Sequence, residues 1–209
     1  MKLKDHLLTR LLNLDQYDED HNFTDDDRKT VRIIDNRIYA AKILRVNYTT
    51  YDVRRDQDSM NPRTNCDVMV FSEEDDPDAH PFWYARILGI FHANVLHIGP
   101  RVTNRSVQRM EFLWVRWFGT EPGYVSGFRV ARLPMIGFLP ESDPQAFGFL
   151  DPSLVVRGCH LFPVFKNGRT TKLLRAVATA GCPIDEADDW TNFYVDMYVS
   201  YFCRCADPH

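Results

Sequence analysis

Two dense runs of aromatic and β-branched residues constrain the fold of this chain more than any other feature. They span residues 82–91 and 110–118 and contain three of the four tryptophans, Trp83, Trp114 and Trp117. Such side chains favour extended backbone because they pack well on a pleated sheet, so both runs predict strands buried on at least one face. Neither run contains a nucleophile–base pair, a glycine-rich phosphate loop or a metal-ligand cluster. The centre of the chain therefore predicts binding rather than catalysis.

Composition predicts an ordinary globular protein without a bound cofactor or metal. The 209 residues are 44% hydrophobic and 26% charged, which suits one core with a small appendage. No apolar run approaches the roughly 18 residues of a membrane span. The first residues lack the apolar region of a signal peptide, so we expect an intracellular protein. The five cysteines are odd in number and lack C-x-x-C spacing, which predicts reduced thiols.

The pattern along the chain predicts a mainly β fold, that is, a β-rich α+β protein. Leucines at helical spacing predict a short helix over residues 3–14. Asp35-Asn36 lies between two β-prone runs and predicts a two-residue hairpin turn. Residues 43–53 and 67–71 read as further strands, and residues 154–161 read as a strand or as a helical turn that enters one. The chain is divided into a helical N-terminal extension (1–30), a β domain (31–175) and an acidic linker with an aromatic C-terminal segment (176–209).

Charge is unevenly distributed along the chain. Residues 1–79 carry 12 Lys+Arg against 18 Asp+Glu, residues 80–175 carry 12 against 5, and residues 176–209 carry 1 against 6. A basic middle between acidic ends is typical of an anion-binding surface. The alternative is that the acidic flanks neutralise the basic middle within the same molecule.

Three motifs follow one another in an order that resembles that of BAH (bromo-adjacent homology) domains. They are Ala85-Arg86-Ile87 within the first aromatic run, Val115-Arg116-Trp117-Phe118 in the second, and residues 155–160. The resemblance covers roughly residues 40–165. It implies a BAH-like twisted β-barrel that binds histone tails, nucleosomes or partner proteins. The chain lacks an obvious counterpart of the aromatic-rich loop that completes a methyl-lysine cage in some BAH domains.

A second resemblance extends over nearly the whole chain. Residues 44–58, 112–119 and 147–152 look like the C-terminal region of large proteins encoded by Plavaka- and KDZ-type transposons of mushroom-forming fungi. In those proteins the segment matching residues 192–195 continues into a glycine-rich tail, whereas this sequence diverges after Asp196. The resemblance implies a transposon-derived fungal protein, and the departure suggests a truncated or recombined copy.

Aromatic residues of the two runs are candidates for a ligand-binding pocket. Trp83, Tyr84 and Trp117 could supply ring faces for a methylated ammonium group through cation–π attraction. Trp117 is the strongest candidate by resemblance to the BAH pattern, and Glu121 is close enough in sequence to add a counter-charge. The alternative is that these rings only fill the barrel core.

Arginines of the basic middle are candidates for nucleic-acid contacts. Affinity for nucleic acid begins with neutralising the phosphate backbone, and guanidinium groups suit that role. The candidates are Arg101, Arg105, Arg109, Arg129 and Arg132. The alternative is an ordinary solvated surface.

One set of carboxylates could suggest metal-dependent catalysis. Two-metal nucleases and transposases need several converging carboxylates, and Asp52, Asp56 and Asp58 lie close together in sequence. Arg54 and Arg55 stand among them, which favours ion pairs or a solvated turn instead. We therefore predict that the protein is not an enzyme.

The sequence as a whole predicts a non-catalytic, chromatin-associated binding module derived from a fungal transposon protein. Its expected partner is a histone tail, a nucleosome or another protein, with no membrane association. The alternatives are a sequence-nonspecific DNA- or RNA-binding module that uses the basic middle, and a non-functional transposon relic. A nuclear location follows from the first hypothesis rather than from any import signal in the sequence.

Overall fold

Strands account for most of the regular structure of this protein. The computed structural model describes residues 3–14, 23–49, 54–72, 74, 80–99, 102, 104–127, 130–170 and 189–196. The described residues are 52% strand and 16% helical, and the main antiparallel sheet is strongly curled into a half-barrel. The prediction of a mainly β fold is confirmed, while the BAH-like form of the barrel stays a prediction.

The described elements are two helices and a series of strands. The helices are α1 (Leu3–Leu11) and α2 (Asp25–Thr30). The strands are β1 (Val31–Ile33), β2 (Tyr39–Ala41), β3 (Leu44–Thr49), β4 (Arg55–Met60), β5 (Asp67–Phe71), β6 (Phe82–His97), β7 (Gln108–Thr120), β8 (Met135–Phe138), β9 (Phe147–Leu150), β10 (Val155–Gly158), β11 (Leu161–Pro163), β12 (Arg169–Thr170), β13 (Asp189–Trp190) and β14 (Asn192–Val195).

The two aromatic runs form the long hairpin β6–β7 at the centre of the main sheet. Their antiparallel ladder extends from the pair Tyr84–Phe118 to the pair Val95–Gln108. The main sheet has the order β10-β5-β6-β7-β8-β14-β11, with β1 and β2 also paired to β6 and β9 also paired to β7. The hairpin β3–β4 and the pair β12–β13 are separate two-stranded sheets. Every other part of the main sheet is therefore built outward from β6 and β7.

A bulge near Gly89 interrupts the ladder between β6 and β7. Ile87 pairs with Val115, but the next pair joins Gly89 to Trp114, so β6 contributes one extra residue, Leu88. A Cβ at position 89 would lie 2.4 Å from a ring carbon of Phe91, so any other residue there would displace that ring. Because strand side chains alternate between faces, the extra residue reverses which residues of β6 face each way beyond this point.

The two faces of the hairpin β6–β7 carry different cores. The tryptophan face (Trp83, Ala85, Ile87, Val115 and Trp117) is covered by the hairpin β3–β4, whose side chains pack against it. The opposite, arginine face bears Tyr84, Arg86, Arg116 and Phe118. At one end of this face β8 and β14 supply Phe138 and Phe193, and at the other end α1 supplies Leu7 and Leu8.

The predicted hairpin turn at Asp35-Asn36 does not join two paired strands. Asp35 and Asn36 do have the positive φ angles, 54° and 51°, that such a turn requires. However, β1 and β2 both pair with β6, from Val31 opposite His97 to Ala41 opposite Ile90. The hairpin prediction was wrong because β1 and β2 do not pair with each other. The turn only interrupts the extended segment that runs along β6.

The aromatic segment near the C-terminus is part of the main sheet. β14 lies between β8 and β11, with Phe193 opposite Ile136 on one side and opposite Pro163 on the other. The predicted acidic linker falls largely on residues 176–188, which lie outside the described residues. Residues 192–195 therefore complete the β domain instead of forming a separate appendage.

Arg86 connects three strands on the arginine face. Its Nε and Nη2 donate to the two carboxylate oxygens of Asp67 at 2.8 and 3.1 Å, and its Nη1 donates to Asp189. The guanidinium carbon also lies 5.0 Å from the ring centre of Phe138. Burial acts to lower the pKa of Arg86, but the two carboxylates outweigh it and raise that pKa overall. A charge buried in this way is satisfied by partners on β5 and β13.

Arg116 lies beside Arg86 on β7 and has far fewer partners. Its side chain is fully buried, with its guanidinium carbon 5.0 and 4.6 Å from the ring centres of Phe138 and Phe147. Nη2 donates to the carbonyl of Leu139 at 3.1 Å, while Nε and Nη1 have no hydrogen-bond partner among the described residues. Burial is the main cause that lowers the pKa of Arg116.

Helix α1 packs one face against the sheet and buries a histidine. His6, Leu7 and Leu8 are almost entirely removed from solvent, and the ring of His6 lies 6.0 Å from that of Phe149. The helix ends at Leu11, three residues earlier than predicted, and Asn13 adopts a left-handed φ of 52° just after it. Neither described helix is long and apolar enough to cross a membrane.

We predict that replacing Arg86 destabilises the fold far more than replacing Arg116. Arg86→Met leaves Asp67 and Asp189 without their guanidinium partner, which should cost about 3–5 kcal/mol of unfolding free energy. Arg116→Met removes a buried charge that has one hydrogen bond, so we expect less than half of that cost. Urea unfolding followed by circular dichroism measures both variants, and equal losses would contradict this account of the arginine face.

A second prediction concerns the pH dependence of stability. Burial, followed by the charge of Arg10, lowers the pKa of His6 from 6.5 to about 4, although Asp151 opposes this. Between those pH values the unfolded chain binds a proton at His6 that the folded chain does not. The contribution of His6 is therefore complete above pH 6.5 and decreases towards pH 4, by about 2 kcal/mol between pH 7 and pH 5.

The variant His6→Gln isolates this contribution. Its unfolding free energy, measured in urea at about pH 7 and pH 5, should fall by about 2 kcal/mol less than that of the natural protein. Identical pH dependence in the two proteins would show that His6 titrates normally in the folded state.

Candidate functional site

Trp83 and Trp117 lie side by side on the tryptophan face. Trp117 is opposite Ala85, two residues from Trp83, so the two indoles are diagonal neighbours across the ladder. Their ring centres are 6.4 Å apart and the rings are inclined at 83°. Both side chains are partly exposed while packing against the core of that face. The two rings therefore pack edge to face, at right angles to each other, and each leaves part of its surface exposed.

A carboxylate stands beside this pair of rings. The indole Nε1 of Trp83 donates to Oε1 of Glu74 at 3.2 Å, and Glu74 is exposed. The interaction fixes an acidic group next to the ring of Trp83. We call Trp83, Trp117 and Glu74 the aromatic site. Two ring faces with a nearby carboxylate are the components with which proteins bind ammonium groups.

The backbone around Trp117 holds its ring in place. Its amide donates to the carbonyl of Ala146 at 3.0 Å, and its carbonyl accepts from the amide of Leu139 at 3.2 Å. Gly148 on β9 approaches so closely that a Cβ there would lie 3.0 Å from Nε1 of Trp117. The loop that joins β8 to β9 thus fixes one wall of the aromatic site.

The other two residues predicted for the pocket lie elsewhere. Tyr84 is buried on the arginine face, next to Trp83 in sequence but on the opposite side of the sheet. Glu121 follows β7, roughly 13 Å beyond Trp117 along the strand. Its Oε2 accepts a hydrogen bond of 2.7 Å from Nδ2 of Asn192. The structure thus brings together Trp83 and Trp117 and adds Glu74, which the sequence analysis did not single out because no sequence pattern links it to Trp83.

The arginines predicted to bind nucleic acid do not form one surface. Arg105 and Arg109 lie at the start of β7, whereas Arg132 lies in the loop beyond its far end, roughly 40 Å away along the strand. Arg109 also pairs with Glu111 at 3.0 Å. The remaining candidates, Arg101 and Arg129, lie outside the described residues.

The carboxylates considered for catalysis have structural contacts where they are described. Oδ2 of Asp58 accepts from the amide of Gly158 at 3.1 Å and from Nε of Arg157 at 3.4 Å, which ties the hairpin β3–β4 to β10. Asp56 accepts from the amide of Gln57 at 2.7 Å. Asp52 lies outside the described residues. In the described part of the chain, no group of three histidine, cysteine or acidic residues could hold a metal ion.

The described cysteines are buried or partly buried free thiols. They are Cys66 and Cys159, and the other three lie outside the described residues. Burial raises the pKa of Cys66 to about 12 and also raises the pKa of Cys159 well above its ordinary value. Because the thiolate is the reactive form, neither side chain is suited to act as a nucleophile at neutral pH.

Comparisons with known proteins identify no family for this chain. The functional proposal is therefore based on the aromatic site. No protein-family model matches the chain, and neither the curated proteins nor the solved structures contain a match.

Proposed function

We propose that this protein is a non-catalytic binding module that recognises a methylated ammonium group on a protein partner, with a histone tail or nucleosome as that partner. The observation that supports this proposal is the aromatic site, in which Trp83 and Trp117 stand at 83° to each other beside the carboxylate of Glu74. The resemblance to BAH domains supports the choice of partner.

The geometry suits a methylated cation for a physical reason. Each added methyl group enlarges the ammonium and weakens its hydration, while the positive charge remains attracted to the electron-rich face of a ring. Such contacts contribute about 0.5–1 kcal/mol at exposed sites and about 2 kcal/mol when desolvated. Two perpendicular rings contact the methyl groups from two sides, and Glu74 supplies the compensating negative charge.

The origin and location of the protein belong to the same proposal. The resemblance to Plavaka- and KDZ-type proteins supports descent from a fungal transposon protein, and binding to chromatin would place the chain in the nucleus. The alternative of nonspecific DNA or RNA binding along the basic middle receives less support. Its described arginines are divided between opposite ends of β7, and Arg109 is engaged with Glu111.

We predict that the protein binds a trimethyllysine histone peptide at least tenfold more tightly than the unmethylated peptide, which is a difference of about 1.4 kcal/mol. Trp117→Ala should abolish this preference because it removes one wall of the aromatic site. Glu74→Gln should reduce it severalfold while leaving the fold intact, since Glu74 is exposed. Fluorescence polarisation with labelled peptides measures all of these affinities.

Trp114→Ala is the matched control for loss of a tryptophan. Trp114 lies on the other face of β7, stacked on Phe147 at a ring-centre distance of 5.8 Å. Its replacement should lower stability without changing the preference for methylated peptide. Equal binding of both peptides, or an equal loss of preference in Trp114→Ala, would refute the proposal. Salt-sensitive binding to duplex DNA alone would favour the nucleic-acid alternative, and no binding to any of these ligands would favour a relic.

A further inference from the structure

A cleft lies at the end of the β6–β7 hairpin opposite to the aromatic site. It is bordered by the end of α1, the start of β7 and the turn that follows β9, and its volume is about 620 Å³. Ligand pockets for small molecules commonly have volumes of about 300–1,000 Å³. The cleft is therefore large enough for a nucleotide-sized molecule.

Hydrogen-bond donors outnumber acceptors on the walls of this cleft. The side-chain amides of Asn13 and Gln108 make no hydrogen bond within the described part of the chain. Oδ1 of Asn104 accepts from the amide and hydroxyl of Ser106 at 2.9 and 2.6 Å, which leaves its Nδ2 as a donor.

Two guanidinium groups add positive charge to the same walls. Nε of Arg10 lies 2.5 Å from Oδ2 of Asp151, and Nη2 of Arg109 lies 3.0 Å from Oε1 of Glu111. Nη1 of Arg10 also donates to the carbonyl of Glu111. These contacts leave further N–H groups on both arginines, because a guanidinium has five. Burial lowers the pKa of Arg10, and the charges of Asp151 and Glu111 oppose this shift.

The acidic residue of the cleft is already engaged. Oδ2 of Asp151 contacts Arg10, and its Oδ1 accepts from the amide of Ser153 at 2.9 Å. A ligand that fits these walls must therefore supply acceptors, and preferably negative charge. Oxyanions meet both requirements because arginine forms strong, charge-assisted hydrogen bonds with them.

The remaining surface of the cleft is apolar. Leu11, Leu14, Met110 and Leu154 contribute to its lining. Apolar side chains can pack against a heterocyclic ring, and the amides of asparagine and glutamine are the groups that pair with the edge of adenine. The apolar surface suits the face of a base, the amides suit its edge, and the two arginines suit a phosphate.

We propose that this cleft binds a nucleoside phosphate, with the phosphate at Arg10 and Arg109 and the base over the leucine and methionine side chains. Asn104 and Gln108 then face the edge of the base. The ligand is either a free mononucleotide or the phosphorylated end of a single-stranded nucleic acid, since both present the same group. Arg105 follows Asn104 in sequence and is exposed, so it would meet the next phosphate of a longer strand.

The test is direct binding to the full chain by isothermal titration calorimetry. The ligands are adenosine, inorganic phosphate, AMP, and a short single-stranded oligonucleotide with and without a 5′-phosphate. AMP should bind at least tenfold more tightly than adenosine or inorganic phosphate, because each of those occupies only part of the cleft. An oligonucleotide that binds more tightly than AMP, and depends on its 5′-phosphate, identifies a nucleic-acid end as the ligand. If the oligonucleotide binds no more tightly than AMP, the ligand is a free nucleotide.

Matched arginine variants locate the binding. Arg109→Gln should weaken AMP binding at least tenfold, whereas Arg45→Gln, an exposed arginine on the hairpin β3–β4, should leave it unchanged. Gln108→Ala should weaken AMP without affecting inorganic phosphate. The proposal is overturned if neither AMP nor the 5′-phosphorylated oligonucleotide binds, if inorganic phosphate binds as tightly as AMP, or if the two arginine variants behave alike.

Discussion

The pairing of β6 with β7 determines where the other strands of the main sheet lie. Both strands are long, and together they provide edges for β1, β2, β5, β8 and β9. The bulge before Gly89 shifts the register once, and this shift keeps large apolar residues on both faces over the whole length. Without it, Ile90 and Phe91 would exchange faces, so the core under β3–β4 would have to accommodate a phenylalanine and the core under α1 an isoleucine.

The two ends of the β6–β7 hairpin carry different surfaces. Near Phe82 the tryptophan face is open enough to leave two indoles partly exposed, and near Gln108 the packing of α1 leaves a polar cleft. The strands β6 and β7 connect these two surfaces, whereas Glu74 and Asn104, which border them, lie outside the strands. Between the two ends, Arg86 links β5, β6 and β13 with its carboxylate partners and makes the arginine face a structural part of the molecule.

The fold was largely predictable from the sequence where one residue type dominates a segment. The aromatic runs became β6 and β7, the segment 67–71 became β5, and the leucines near the start became α1. The turn at Asp35-Asn36 was predicted from correct local chemistry, but local chemistry does not show which strand becomes the partner. β4 was missed because Arg55, Asp56 and Asp58 are polar, and its pairing with β3 depends on tertiary contacts.

The candidate sites were less predictable than the fold. Tyr84 was grouped with Trp83 by proximity in sequence, although alternation along a strand separates adjacent side chains. The cleft could not be predicted, since Arg10, Arg109 and Asp151 are brought together only by the completed fold.

The place of β14 in the sheet has a consequence for how the protein is made. β14 covers the free edge of β8, yet roughly 50 residues separate these strands in sequence, and a ribosome adds about 5–20 residues per second. The edge of β8 therefore stays uncovered for several seconds after it emerges, with unpaired backbone groups beside exposed phenylalanines. Such an edge is a template for pairing with other chains. Synthesis of this protein thus includes an interval in which chaperones or slow translation would decide between folding and aggregation.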